Sequence, residues 1–206
     1  MDIVFATVFL AIGCPLFPVI ALAIKLDSKG PVLFRQARVG RSGRPFQILK
    51  FRSMLSNAAH PMRLITAASD PRITPVGRLL RNTKLDELPQ MWNVIRGDMS
   101  LVGPRPEIEK HVSEGYSEQD KGIVFAVRPG LTDPASIRYY SEERLLRGQA
   151  DVEGFYLAVV LPRKIRAYRL YVQTLSFKRD VQIIGATLRA VAFSVTQQFG
   201  RAARRR

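Results

Sequence analysis

Asp86 and Glu87 are adjacent carboxylates standing just ahead of a helical pattern. Leu88, Met91, Trp92 and Ile95 recur at i, i+3, i+4 and i+7, which predicts one helical face. Pro89 fits best in the first turn of that helix, so the helix begins near Asp86, and Gly97 ends it. Backbone N–H groups at a helix N-terminus favour negative charge. Capping by Thr83 or Asp86 is one use of such residues, and a reactive carboxylate is the other; the residue pattern leaves both open. Adjacent helical side chains point about 100° apart, so the two carboxylates do not do identical work. Two stiff loops, Gly103-Pro104-Arg105-Pro106 and Arg128-Pro129-Gly130, each hold an arginine, and Arg81 lies close ahead of Asp86. A guanidinium matches phosphate oxygens in two-point geometry, so Arg105, Arg81 and Arg128 are candidates for a phosphate clamp. Lys50 and Arg52 flank Phe51, where phosphate contact and solvation are both open.

The elements that must position these groups read as α+β, mainly helical. Pro31 to Phe34 and Pro45 to Phe51 are predicted strands, and the Arg38 to Arg44 stretch has turn composition, so together they predict a hairpin. Arg41 and Arg44 fit a solvated turn. Residues 55–75 look irregular, with Asp70-Pro71 as a turn signal. Val76 to Arg81 predicts a short helix. Leu161 to Leu175 interleaves Arg163, Lys164, Arg166 and Arg169 with apolar residues. That suits an amphipathic helix on anionic membrane lipids, or a core helix with a solvated basic face. Val181 to Val195 reads as a buried or interfacial helix.

The chain has 206 residues, a net charge of +15 and 47% hydrophobic residues. It is long enough to bury a core and too apolar to be disordered. The charge calls for a polyanionic partner. A nucleic-acid-binding protein would match it but would leave the apolar N-terminus without a purpose, so no nucleic-acid partner is expected. A non-catalytic membrane scaffold is the other alternative. A single cysteine, Cys14, excludes an internal disulfide, and His60 and His111 have no Cys or His at ligand spacing, which argues against zinc.

Ile3 to Ile24 is uncharged and long enough to cross a bilayer. Pro15 and Pro18 each remove a helix hydrogen bond and predict a sharp bend near Cys14. A re-entrant helix and a kinked span both satisfy that pattern. Lys25, Lys29, Arg35 and Arg38 follow, which places the body in the cytoplasm by the positive-inside rule.

These motifs resemble the bacterial sugar transferases, the monotopic phosphoglycosyl transferases, in order over nearly the whole chain. The resemblance rests on the bend before Pro15, KLDSKGPV from Lys25, Phe34-Arg35-Gln36 with Val39-Gly40, and KFRSM from Lys50. It continues through LDELPQMWNVIRGDMSLVGPRP from Leu85, RPGLT from Arg128, and Leu161 to Asp180. It implies a re-entrant membrane helix over 1–25 broken at Cys14-Pro15, a cytoplasmic catalytic domain over 26–198 and a basic tail over 199–206. Both ends would face the cytoplasm at the bacterial inner membrane. It implies an Asp86-Glu87 dyad with Asp86 as nucleophile and metal ligand, and a magnesium ion. The implied reaction moves a sugar-1-phosphate from a UDP-sugar to a polyprenyl phosphate, with release of UMP. Asp180 matches an acidic position of undefined role. The sequence departs from the family in having Cys14 where a serine is usual. It departs again in lacking a Lys-Arg pair ahead of Asp2, and in Thr132-Asp133-Pro134 where many members continue with Thr-Gly.

Overall fold

A computed structural model describes residues 2–55, 70–138, 146, 149 and 151–203. His60 and the arginines at 204–206 fall outside the described residues. The chain opens with α1 (Asp2–Gly13) and α2 (Leu16–Asp27), bent by 62° at the expected break. Pro15 has no N–H to continue α1, while Pro18 falls in the first turn of α2, where no intrahelical donor is needed. The Cys14 carbonyl accepts the Phe17 N–H at 3.2 Å. Among the described residues no single helix is long and apolar enough to cross a membrane.

Both arms of the bend dock on one body. Ala6 of α1 is fully buried beside Ile48 and Met91, and Ser100 Oγ donates to Asp2 Oδ2 at 2.7 Å. Ile20 and Ile24 of α2 pack with Phe51 and Leu80. The outward faces expose Phe5, Val8, Ile12, Val19, Leu22 and Leu26.

β1 (Leu33–Val39) and β2 (Pro45–Phe51) form the hairpin, antiparallel from Leu33↔Phe51 to Val39↔Pro45. β1 runs well past the predicted Phe34. Arg35, Gln36 and Arg38 interrupt the apolar pattern, but pairing with β2 satisfies their backbone whatever their side chains. The turn needs left-handed backbone at Ser42 (φ 57°) and Gly43 (φ 73°). Arg41 and Arg44 are exposed there, and Arg41 Nε donates to the Ala126 carbonyl.

α3 (Pro75–Thr83) starts at Thr74, whose Oγ1 accepts the Gly77 N–H at 3.0 Å. Asp27 Oδ2, at the end of α2, accepts the Val76 N–H. Lys84 in left-handed backbone (φ 58°) stops α3, and a 3-10 turn, Leu85–Glu87, leads to α4 (Gln90–Ile95). α4 lies along β2. Asn93 accepts from the Leu49 N–H at 3.0 Å and donates to the Gln47 carbonyl at 2.8 Å, supplying what a third strand would. This rotates the helix from the predicted face: Gln90, Met91, Asn93 and Val94 are buried, while Trp92 is 51% exposed.

β3 (Ser100–Val102) then pairs in parallel with β4 (Gly130–Thr132), a contact the sequence reading missed. The two stiff loops flank this pair. A Cβ on Gly130 would lie 2.1 Å from the Gly103 nitrogen, and one on Gly103 2.6 Å from the Arg128 carbonyl oxygen, so glycine at both positions permits the approach.

The remaining elements are α5 (Glu109–Gly115), α6 (Glu118–Val124), α7 (Pro134–Arg138), α8 (Val152–Phe155), α9 (Leu161–Gln173) and α10 (Phe177–Ala203). A π-helical turn, Tyr156–Val160, joins α8 to α9. α9 buries Leu161, Lys164, Ile165, Tyr168 and Tyr171, and leaves Arg163 and Arg166 outside. One face therefore packs on the core and a basic face turns outward, and Lys164 points inward instead of joining that outer face. α10 buries Ile183 and exposes Phe177, Val181, Leu188 and Phe193.

Candidate active site

Asp86 and Glu87 occupy the 3-10 turn between α3 and α4, and their side chains meet different surroundings. Asp86 is 6% exposed and does not cap the helix. A capping carboxylate would accept from the second or third N–H of the turn ahead. Pro89 has none, and the Leu88 N–H is taken by the Leu85 carbonyl at 3.2 Å. Thr83 turns its hydroxyl back to the Leu79 and Leu80 carbonyls. Asp86 Oδ1 is thus buried with no hydrogen-bond partner. Burial first, and the Glu87 charge second, push the Asp86 carboxyl above its usual range, against the pull of Lys50, Lys84 and Arg81.

Glu87 is fully engaged. Lys50 Nζ donates to its Oε1 at 2.9 Å, and Arg105 reaches both oxygens, NH2 to Oε1 at 2.5 Å and NH1 to Oε2 at 3.5 Å. Burial works against its charge, but Arg105 and then Lys50 outweigh it and hold the carboxyl well below its usual value. Glu87 in turn raises the Arg105 guanidinium, while burial lowers the Lys50 ammonium despite Glu87. The outcome is a neighbouring pair with opposite tendencies: Glu87 is held charged by two cations, while Asp86 keeps one buried oxygen without a hydrogen-bond partner and a carboxyl raised above its usual range.

A model of the bacterial sugar transferase family matches residues 1–194. The chain belongs to that family. It is 43% identical over 190 residues to UDP-glucose:undecaprenyl-phosphate glucose-1-phosphate transferase of Caulobacter vibrioides, covering 91% of this chain and 67% of that protein. The protein of the same description from Escherichia coli K12 is 46% identical over 146 residues, 69% of this chain and 31% of its own length. A putative undecaprenyl-phosphate N-acetylgalactosaminyl 1-phosphate transferase of Bacillus subtilis is 40% identical over 156 residues, 74% of this chain and 80% of its own. The chain therefore spans about two thirds of the first of these relatives and under a third of the second.

The other candidates named from the sequence divide around the two carboxylates described above. Lys50, Arg105 and Arg81 gather there: the first two on Glu87, and Arg81 close enough for its charge to act on Asp86 while NH1 lies 3.9 Å from Met54 Sδ. Arg128 does not join them. Its NH2 lies by Gly97, just past the C-terminal end of α4, whereas the dyad precedes the N-terminal end. Arg52 is 5% exposed, and its NH2 donates to the Ile24 and Ser28 carbonyls at 3.2 and 2.7 Å. It caps the end of α2 instead of facing the dyad. Asp180 accepts from Tyr171 Oη at 2.8 Å, and that hydroxyl also reaches the Val102 carbonyl, so Asp180 ties α10 to α9 and β3.

The sequence reading missed the group that holds the Arg105 loop from behind. Glu107 accepts from Tyr156 Oη at 2.7 Å and Lys164 Nζ at 3.1 Å, and its other oxygen lies 3.3 Å from His111 Nδ1. Its carboxyl is held low, since Lys164, His111 and Arg38 outweigh its burial. The i, i+4 spacing of Glu107 and His111 was the one visible signal. Among the described residues no three His, Cys, Asp or Glu side chains gather as a metal cage. Magnesium asks for less, since one or two carboxylates suffice alongside phosphate oxygens and water. The Asp86 carboxylate, whose Oδ1 has no hydrogen-bond partner, fits that requirement, whereas both oxygens of Glu87 are committed.

Proposed function

We propose that this chain transfers a sugar-1-phosphate from a UDP-sugar to undecaprenyl or a related polyprenyl phosphate, releasing UMP. The observation that carries the reading is the contrast within the dyad: a buried, unsatisfied Asp86 beside a Glu87 pinned by Lys50 and Arg105. The activities named for the family relatives agree with it. Asp86 attacks the β-phosphorus of the UDP-sugar; the new O–P bond forms as the bond to the α-phosphate oxygen breaks, and UMP leaves with the electron pair. An oxygen of the polyprenyl phosphate then attacks the same phosphorus and restores the Asp86 carboxylate. Splitting the transfer in this way replaces one hard encounter of two anions with two easier ones. Lys50, Arg81 and Arg105 supply the positive field that lets a carboxylate approach a diphosphate. A magnesium ion held by Asp86 would neutralise charge on the phosphates and the departing UMP. Glu87 keeps Lys50 and Arg105 in place.

The substrate lipid places this chemistry at a bilayer, and the docking of the bend supports a monotopic pose on the cytoplasmic face of the inner membrane. Each arm is 12 residues, roughly 18 Å long, so a symmetric 62° bend dips only about 9 Å. That depth is well short of a ~30 Å hydrocarbon core. A crossing pose would drag the attached β2, α3 and α4 into lipid. The exposed apolar faces of α1, α2 and α10 then sit in one leaflet, and anionic lipid attracts the basic body.

The test incubates the full chain in nanodiscs with magnesium, undecaprenyl phosphate and a panel of UDP-glucose, UDP-galactose and UDP-N-acetylgalactosamine, and measures UMP. At least one donor gives UMP, and Asp86→Asn gives none. Folded protein that releases no UMP from a broad panel would overturn the enzyme reading.

A further inference from the structure

Asp86, Gln90 and Asn93 stand at i, i+4 and i+7 along the 3-10 turn and α4, both of which pack on β2. They are 6%, 1% and 1% exposed. Asn93 spends its carboxamide on the free edge of β2. Gln90 does not: its Nε2 is buried with no hydrogen-bond partner. Leaving such a donor unpaired is costly, so a buried carboxamide kept this way calls for a use. One turn away is the opposite deficit, the buried acceptor Asp86 Oδ1 with no donor. Leu88 and Pro89 keep helical backbone between them, and at i and i+4 of a helix Cβ atoms stand about 5–6 Å apart, so one small group reaches both.

A phosphoryl group complements the two together. Its phosphorus meets the Asp86 oxygen, and its non-bridging oxygens accept hydrogen bonds. We propose that Gln90 is a further catalytic residue, its Nε2 donating to a non-bridging oxygen of the phosphoryl group that Asp86 attacks. This rests on the phosphosugar-transfer reading above. As Asp86 Oδ1 bonds to the β-phosphorus and the leaving oxygen departs with its electrons on UMP, charge gathers on the non-bridging oxygens, and Gln90 meets it there. A neutral donor suits this position. A lysine or arginine one turn from Asp86 would pair with the nucleophile and quench it, as Lys50 and Arg105 do for Glu87.

The test uses Gln90→Met, similar in length but without a donor, and Gln90→Glu, isosteric but anionic, in full-length protein in nanodiscs. UMP release and thermal unfolding are measured together. For Gln90→Met the expected kcat falls about 100-fold with KM for the UDP-sugar little changed. Its Tm equals or exceeds that of the wild type, because the lost donor bonded nothing in the free protein. Gln90→Glu loses more activity than Gln90→Met at neutral pH. A Gln90→Met kcat within about twofold of wild type would overturn the assignment. So would a Tm that falls in step with activity in both variants, which would make Gln90 a packing residue. If the wild type itself releases no UMP, the underlying transferase reading fails, an outcome distinct from an active wild type that tolerates Gln90→Met.

Discussion

The two dyad carboxylates should respond to loss of charge in opposite directions, and stability measurements separate them without any assay of turnover. Asp86 carries a buried oxygen with no donor. Asp86→Asn removes a buried charge that burial and the Glu87 charge disfavour, a gain on the order of 1 kcal/mol. In a chain of this size each kcal/mol moves Tm by about 2–4 °C, so Asp86→Asn raises Tm by a few degrees. Glu87→Gln removes the partner of two cations whose side chains are only 21% and 28% exposed. Breaking a buried pair from one side costs about 3–5 kcal/mol, which lowers Tm by roughly 6–20 °C. The pH dependence carries the same signs. The Asp86 carboxyl is raised on folding, so the folded chain binds the proton more tightly than the unfolded one. Its penalty is present above the raised value and fades as pH falls through it. The Glu87 carboxyl is lowered, so its contribution is present above the ordinary glutamate value and is lost as pH falls through the depressed one. The Tm advantage of Asp86→Asn therefore shrinks on acidification, and the deficit of Glu87→Gln shrinks only at a lower pH. Differential scanning fluorimetry of both variants between neutral and acidic pH makes the measurement. Equal destabilisation by the two substitutions at neutral pH would refute the division of labour, because Asp86 would then be holding structure.

Other consequences are equally direct. Arg105→Ala cuts UMP release by about 100-fold or more, whereas Arg128→Ala, at the other end of α4, changes it by less than about fivefold; steady-state kinetics on the two variants compares them. Arg52→Ala lowers Tm by uncapping α2 while leaving KM for the UDP-sugar near wild type, and a KM effect without destabilisation would return Arg52 to the substrate site. Gly130→Ala forces a methyl to within 2.1 Å of the Gly103 nitrogen and costs more than about 2 kcal/mol in denaturant titration.

Much of this arrangement was legible in the chain, for identifiable reasons. Paired prolines located the bend, and glycines with a short apolar run located the hairpin. The sequence left capping by Asp86 open, and the structure closes it, because Pro89 offers no N–H and the Leu88 N–H goes to the Leu85 carbonyl. What escaped the reading depends on contacts between distant residues. α4 turned Trp92 outward because Asn93 had to face β2, and hydrophobic spacing cannot anticipate a polar residue taking an inner face. β3 and β4 are three residues each, too short to show a period, and they exist because Gly103 and Gly130 allow two backbones to touch. Lys164 belonged by composition to a basic surface. Its partner Glu107 lies far back in the chain, and only folding brings Tyr156 and His111 to the same carboxylate. Arg52 looked like a companion of Lys50, two residues on and so on the same strand face, but β2 ends at Phe51, so Lys50 meets Glu87 while Arg52, past the strand end, turns to the foot of α2.

The bend between α1 and α2 also has an experimental consequence. Its apex carries Cys14, exposed and the single sulfhydryl of the whole sequence. A spin label or solvatochromic dye coupled to native protein therefore reports from one place only, the tip of the hairpin, with no engineered cysteine and no background to subtract. Collision rates with dissolved oxygen and with a water-soluble nickel chelate convert directly into immersion depth. The chain thus carries its own plumb line for testing whether, and how far, the bend enters lipid.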